Sequence, residues 1–157
     1  MEISASLVKK LRDMTDAGMM DCKKALVEVK GDIEKAVEYL RQKGLSKAAK
    51  KADRVAAEGI IALFSENGRA IMVEINSETD FVAKNETFKN LCTKTLELIN
   101  QNNINDIESL KNLKVDGVPF DDYLKGEIAK IGENIVVRRI ALLDSTPNTI
   151  VGAYLHS

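Results

Sequence analysis

The apolar residues of this chain first change their spacing near Ala57, and that change limits what each part can become. Before it they recur at the i, i+3, i+4 interval of helices; after it they alternate over short runs, as half-buried strands do. Leu7, Val8, Leu11 and Met14 form one helical stripe, Cys22, Ala25, Leu26 and Val29 a second, and Ile33, Ala36, Val37 and Leu40 a third. Ser4 or Ser6 is placed to cap the first helix and Asp32 the third, with Gly31 closing the second. With Thr15-Asp16-Ala17-Gly18 as the first turn, connections this short predict a compact three-helix bundle near the lower size limit for independent stability.

Gly44 is expected to end the third helix. From Arg41 to Arg54 the charges are Arg41, Lys43, Lys47, Lys50, Lys51 and Arg54 against Asp53 alone, which reads as a partly helical, solvated basic linker. The alternative is contact with RNA phosphates or an acidic partner. No aromatic residue interleaves with these cations, so base stacking is unsupported.

Beyond the linker, Gly59 to Phe64, Ser65-Glu66-Asn67-Gly68, and Arg69 to Asn76 read as a β-hairpin turning at Asn67-Gly68, with Ile71, Val73 and Ile75 on its buried face. Helical spacing resumes near Asn85, with Phe88, Leu91, Cys92, Thr95, Leu96 and Ile99 on one face. A short helix is expected over Asp106 to Leu113. Another opens at Pro119, with Phe120, Leu124, Ile128 and Ile131 inward and Gly132 at its end. Ile135 to Leu142 is strand-like, Asp144 to Asn148 a turn, and Thr149 to Leu155 a further strand. The fold class is α+β: residues 1–54 a three-helix domain with its linker, and 55–157 an antiparallel sheet with helices. The chain stops inside the last strand-like run, so it reads either as a fragment or as a short natural form, and self-association through the incomplete sheet is possible.

Little here suggests bond chemistry. His156 is the only histidine, and no nucleophile–base set assembles without it. The glycines form neither a phosphate loop nor a dinucleotide fingerprint. Asp121-Asp122 is better explained by a helix N-terminus than as an acid/base pair, and Glu133 has no evident partner. No catalytic residue, metal or cofactor is assigned. A net charge of −1 argues against a general nucleic-acid binder. No apolar run nears the roughly 18 residues of a membrane span, and Met1-Glu2-Ile3-Ser4 does not open like a signal peptide. Cys22 and Cys92 read as reduced core residues of a cytoplasmic protein.

Interaction remains. Phe81, in Thr79-Asp80-Phe81-Val82, stands at a short polar junction between strand and helix. It is either a helix-start anchor into the core or a probe for a partner. Asp80, or Thr79, is placed to cap the following helix, and Val82 and Ala83 to pack beside Phe81. Met19 and Met20 are adjacent on a helix and cannot both face one core, so at least one is expected to point outward unless both tuck into the bundle's edges.

Several motifs, in register along the chain, together resemble one family. They are Leu7-Val8-Lys9-Lys10-Leu11-Arg12, Ala17-Gly18-Met19-Met20-Asp21-Cys22-Lys23-Lys24-Ala25-Leu26, Gly31-Asp32-Ile33-Glu34-Lys35-Ala36, Lys47-Ala48-Ala49-Lys50-Lys51, Thr79-Asp80-Phe81-Val82-Ala83-Lys84 and Ile131-Gly132-Glu133-Asn134. The chain resembles bacterial translation elongation factor Ts. Two departures stand out. Asp16 replaces the family's usual Gly, with a small effect expected. The family also continues past Tyr154-Leu155-His156 into a second half of its core and, in many members, a helical hairpin, so contacts made there do not carry over.

The resemblance implies a ubiquitin-associated-type N-terminal domain and a guanine-nucleotide exchange factor acting on GDP-bound elongation factor Tu during translation. Leu11, Arg12, Met19 and Met20 match the docking region. Thr79, Asp80, Phe81 and Val82 match the loop that disturbs the partner's Mg2+ and phosphate site. The protein would then be no enzyme and need no cofactor. The alternative is a binding module that docks on the GTPase without completing exchange.

Overall fold

The computed structural model describes residues 2–156. In chain order the elements are α1 (Ala5–Thr15), α2 (Met19–Glu28), α3 (Ile33–Ala49), β1 (Glu58–Glu66), β2 (Arg69–Ser77), α4 (Asp80–Ala83), α5 (Glu86–Asn102), α6 (Ile107–Asn112), β3 (Lys114–Val115), β4 (Val118–Pro119), α7 (Phe120–Ile131) and β5 (Val136–Asp144). The fold is α+β, with helices first and an antiparallel sheet with helices after them.

The caps explain the first boundaries. The Ser4 side chain accepts from the Leu7 N–H at 3.3 Å and Asp32 from the Lys35 N–H at 3.1 Å, meeting N–H groups that a helix start leaves orphaned. The Gly31 N–H returns to the Leu26 carbonyl at 2.8 Å and closes α2. Asp16 ends α1 with φ of 54°, a left-handed conformation that Asp adopts at modest cost and Gly at none. Val8, Leu11, Cys22, Ala25, Leu26 and Ala36 form the buried core of this bundle.

Gly44 does not end the third helix. It lies inside α3, which runs on to Ala49. A Gly in a helix interior costs about 1 kcal/mol against Ala, but here the bare backbone lets α3 pack closely on α7, where Ala129 is its neighbour. Three of the cations expected in a solvated linker are accordingly paired along α3, and a fourth, Arg54 beyond it, pairs with Glu78. Arg41 bonds Glu38 at 2.8 Å and Asp122 at 3.3 Å, while Lys43 and Lys47 hold Asp21 at 2.9 and 3.2 Å. Ala36 of α3 belongs to the bundle core and Ala48 to the core under the sheet, so one helix serves both.

The sheet has the order β1-β2-β5. Asn67 and Gly68 both take positive φ, 51° and 76°, the turn geometry that matches the twist of a tight hairpin. Ile71, Val73 and Ile75 of the central strand are fully buried against Phe88, Leu91, Cys92 and Ile99 of α5, with Phe120 and Ile128 of α7 completing the core. A bulge at Glu74/Ile75 interrupts the β2–β5 register. Burial pushes the Cys92 thiol up to about 12, as expected of an inert core cysteine.

Two other expectations change. Thr149 to Leu155 forms no strand, because no described strand pairs with it; Ile150, Tyr154 and Leu155 are exposed. The small β3–β4 hairpin, turning at Asp116-Gly117, was not anticipated. Among the described residues no helix is long and apolar enough to cross a membrane.

Candidate functional site

The central strand β2 runs directly into Thr79 and α4. What the sequence suggests as a loop is a single helical turn capped by Thr79, whose Oγ1 accepts from the Val82 N–H at 3.3 Å. Asp80 is not the cap. It lies in the first turn and accepts a hydrogen bond from Lys84 Nζ at 2.9 Å, which holds its carboxyl below the usual range. Asn85 caps the helix that follows.

The turn sorts its side chains by face. Ala83 is buried and Val82 packs on the core, on the side of the turn that faces the sheet and helices. Phe81 is 82% exposed, which rules out the anchor reading: a large apolar ring is left in water, although folding normally removes such area.

The base of this turn is held by residues distant in sequence. Glu133, expected to lack a partner, accepts hydrogen bonds from the Glu78 and Thr79 N–H groups on Oε2, each at 3.0 Å, and from the Thr79 hydroxyl on Oε1 at 2.6 Å. Gly132 makes this possible by ending α7 in a left-handed conformation, φ 88°, that turns the next residue back toward β2. In return, Glu78 accepts from the Asn134 N–H at 2.7 Å and pairs with Arg54 at 3.6 Å. The buried Asn134 amide donates to the Arg54 carbonyl at 2.8 Å, tying the segment after α3 into the same network. Ser77 Oγ donates to the Thr79 carbonyl at 2.9 Å. The sequence signal for this clamp was the carboxylate directly after a helix-ending Gly.

The N-terminal candidates separate. Leu11 has no exposed surface and belongs to the bundle core, so it cannot contact a partner directly. Arg12 is exposed. Met19 and Met20 are 48% and 64% exposed, at the start of α2, and Met14, at the end of the first helical stripe, is exposed as well. Asp21 follows them and is fixed by Lys43 and Lys47, whose hydrogen bonds lower its pKa.

A cleft of about 650 Å³ lies between the α1–α2 turn, α3 and α7, and Phe81 is not among its lining residues. Among the described residues no group of three or more His, Cys, Asp or Glu is placed to hold a metal. Phe81 on its hydrogen-bonded turn and Met14, Met19 and Met20 of the bundle present large apolar side chains to solvent, a chemistry suited to contact with another macromolecule.

Comparison with known proteins agrees with the motifs. The sequence model of the family described as Elongation factor TS matches residues 78–157. The chain is 62% identical over 158 residues to Elongation factor Ts of Wolinella succinogenes, 63% over 157 to that of Helicobacter pylori strain G27, and 59% over 158 to that of Helicobacter hepaticus. Each match takes in 99% of this chain and 44% of the relative, so the chain spans less than half the length of these curated relatives. On the matched half and on this identity along its whole length, the chain belongs to the elongation factor Ts family.

Proposed function

We propose that this protein acts in translation elongation as a guanine-nucleotide exchange factor, binding GDP-bound elongation factor Tu and promoting GDP release. The observation that carries this reading is Phe81, 82% exposed on a turn whose base is hydrogen-bonded to Glu133. Family membership supports it. Arg12, Met19 and Met20 provide the docking contacts from the bundle, and Leu11 supports them from within. Thr79, Asp80, Phe81 and Val82 form the turn that reaches the nucleotide domain.

The physics follows from how a GTPase holds GDP. Backbone N–H groups and Mg2+ cradle the phosphates through many charge-assisted contacts. A ring that buries roughly 150–250 Å² between elements of that domain displaces several such contacts together. The protein makes and breaks no bond and requires no cofactor of its own. Linkage makes the effect reciprocal: GDP or GTP rebinding weakens the exchange factor's hold by the same factor.

Release of a fluorescent GDP analogue from elongation factor Tu at fixed Mg2+, with and without this chain, tests the reading. Acceleration is the expected outcome. No acceleration, but competition with an intact exchange factor, would favour a module that docks without completing exchange, a reading consistent with the 44% share of the relatives' length. Absence of both acceleration and competition would overturn the reading.

A further inference from the structure

α4 has four residues, too few to hold a helical conformation in water alone. Its exposed ring contributes little packing, so its direction depends on what grips its two ends. Val82 and Ala83 fasten the inner face. At the entry, the consecutive N–H groups of Glu78 and Thr79 converge on one oxygen of Glu133, and the Thr79 hydroxyl takes the other. The same hydroxyl oxygen accepts from Val82, so the carboxylate also orients the cap. Charge-assisted bonds of this kind are about twice as strong as neutral ones.

From this geometry we infer that Glu133 is a positioning residue for nucleotide exchange: it fixes the exit angle of the chain from β2, and so the direction in which Phe81 projects, before any partner is met. The inference rests on the exchange reading. A wedge that must first be ordered on the partner spends part of its contact energy on that ordering, whereas a pre-set wedge applies it to the nucleotide site. Met19 and Met20 lie in the bundle and take no part in these bonds. Losing Glu133 therefore lowers the maximal rate of release and leaves the concentration needed for docking almost unchanged.

Gln discriminates position from charge. It keeps the length of the side chain and one oxygen for the two backbone N–H groups, while its amide can donate to a reoriented Thr79 hydroxyl. Ala removes everything.

The test measures GDP-analogue release from elongation factor Tu against concentration of the 157-residue chain, alongside amide hydrogen exchange, for the unsubstituted protein, Glu133→Gln and Glu133→Ala. Glu133→Ala is expected to lose about 10-fold or more in maximal rate with half-saturation within about 2-fold. Its Glu78 and Thr79 amides exchange faster while those of Ile71, Val73 and Ile75 do not, and Glu133→Gln recovers most of both properties. A loss in half-saturation alone, or full maximal rate with loosened Glu78 and Thr79 amides, overturns the inference. Should Glu133→Ala fail to fold, Glu133→Gln decides: near-native rate and protection support positioning, and a loss equal to that of an unfolded chain overturns it. If the unsubstituted chain gives no acceleration, the exchange reading fails separately. The amides then judge the clamp: loosening confined to the turn supports it, and unchanged protection overturns it.

Discussion

Gly44 of α3 lies so close to Ala129 of α7 that a methyl group added to Gly44 would stand 3.7 Å from the Ala129 Cβ. That is ordinary van der Waals contact. The site therefore accepts one carbon atom and little beyond it, and it sets how near the two helices lie.

Gly44→Ala is expected to stabilise the protein by about 0.5–1 kcal/mol, because Ala favours a helix interior and the added methyl meets no clash. Gly44→Leu should destabilise by about 1–3 kcal/mol, since its larger side chain must push α3 from α7. Chemical denaturation of both variants checks the pair. A destabilised Ala variant would mean that the helices approach more closely than described.

Phe81→Ala should leave unfolding within about 0.5 kcal/mol of the parent, because an exposed ring contributes little to the fold. Stimulated GDP release should fall sharply. The combination matters: a large fall in thermal stability would make Phe81 a support of the fold, and the proposed wedge would lose its basis.

Leu11 and Met20 should respond in opposite ways. Leu11→Ala is expected to cost about 2–5 kcal/mol by opening a cavity in the small bundle, with docking lost only as the bundle unfolds. Met20→Asp should keep the thermal transition and weaken binding to elongation factor Tu. Calorimetry beside a binding titration separates the two. Unchanged affinity in the Met20 variant would count against the docking surface.

Asp21 gives a pH signature. Its pKa is lowered from 3.8 by its hydrogen bonds to Lys43 and Lys47, so its contribution is present above about pH 4 and is lost as pH falls through the folded-state value. Lys43, raised from 10.5 by its hydrogen bond to Asp21, contributes fully below that pH and loses its share as pH rises through its folded value. Asp21→Asn should flatten both limbs by less than about 1 kcal/mol, since the group is partly solvated. Unfolding at pH 3, 7 and 11 would show it; identical slopes in parent and variant would leave the pair without energetic weight.

Local chemistry made much of this fold legible. Ser4 and Asp32 announced helix starts because a capping side chain acts within three residues of itself, whereas Asn85 marked its helix only through the spacing that begins there. Asn67-Gly68 set the hairpin register, and Pro119 with Gly132 bracketed α7. Contacts distant along the chain were hidden. Gly44 looked like a stop because the weight of Ala129 against it lies 85 positions away. Glu133 looked idle because its partners are 54 and 55 positions back. The alternation from Thr149 to Leu155 had the residues of a strand but no neighbour to complete it. At the candidate site, the matching motif marked Phe81, while its exposure and the clamp beneath it required the folded chain.

The continuity of α3 through both cores has a rotational consequence. An α-helix turns about 100° and advances about 1.5 Å with each residue. One residue inserted between Leu40 and Gly44 would swing Met19 and Met20 by more than a quarter-circle about the α3 axis, relative to Phe81, without altering a side chain in either core. The helical phase of this single segment thus determines whether the two exposed surfaces can meet one partner together, and the number of residues in α3 becomes as consequential as their identity.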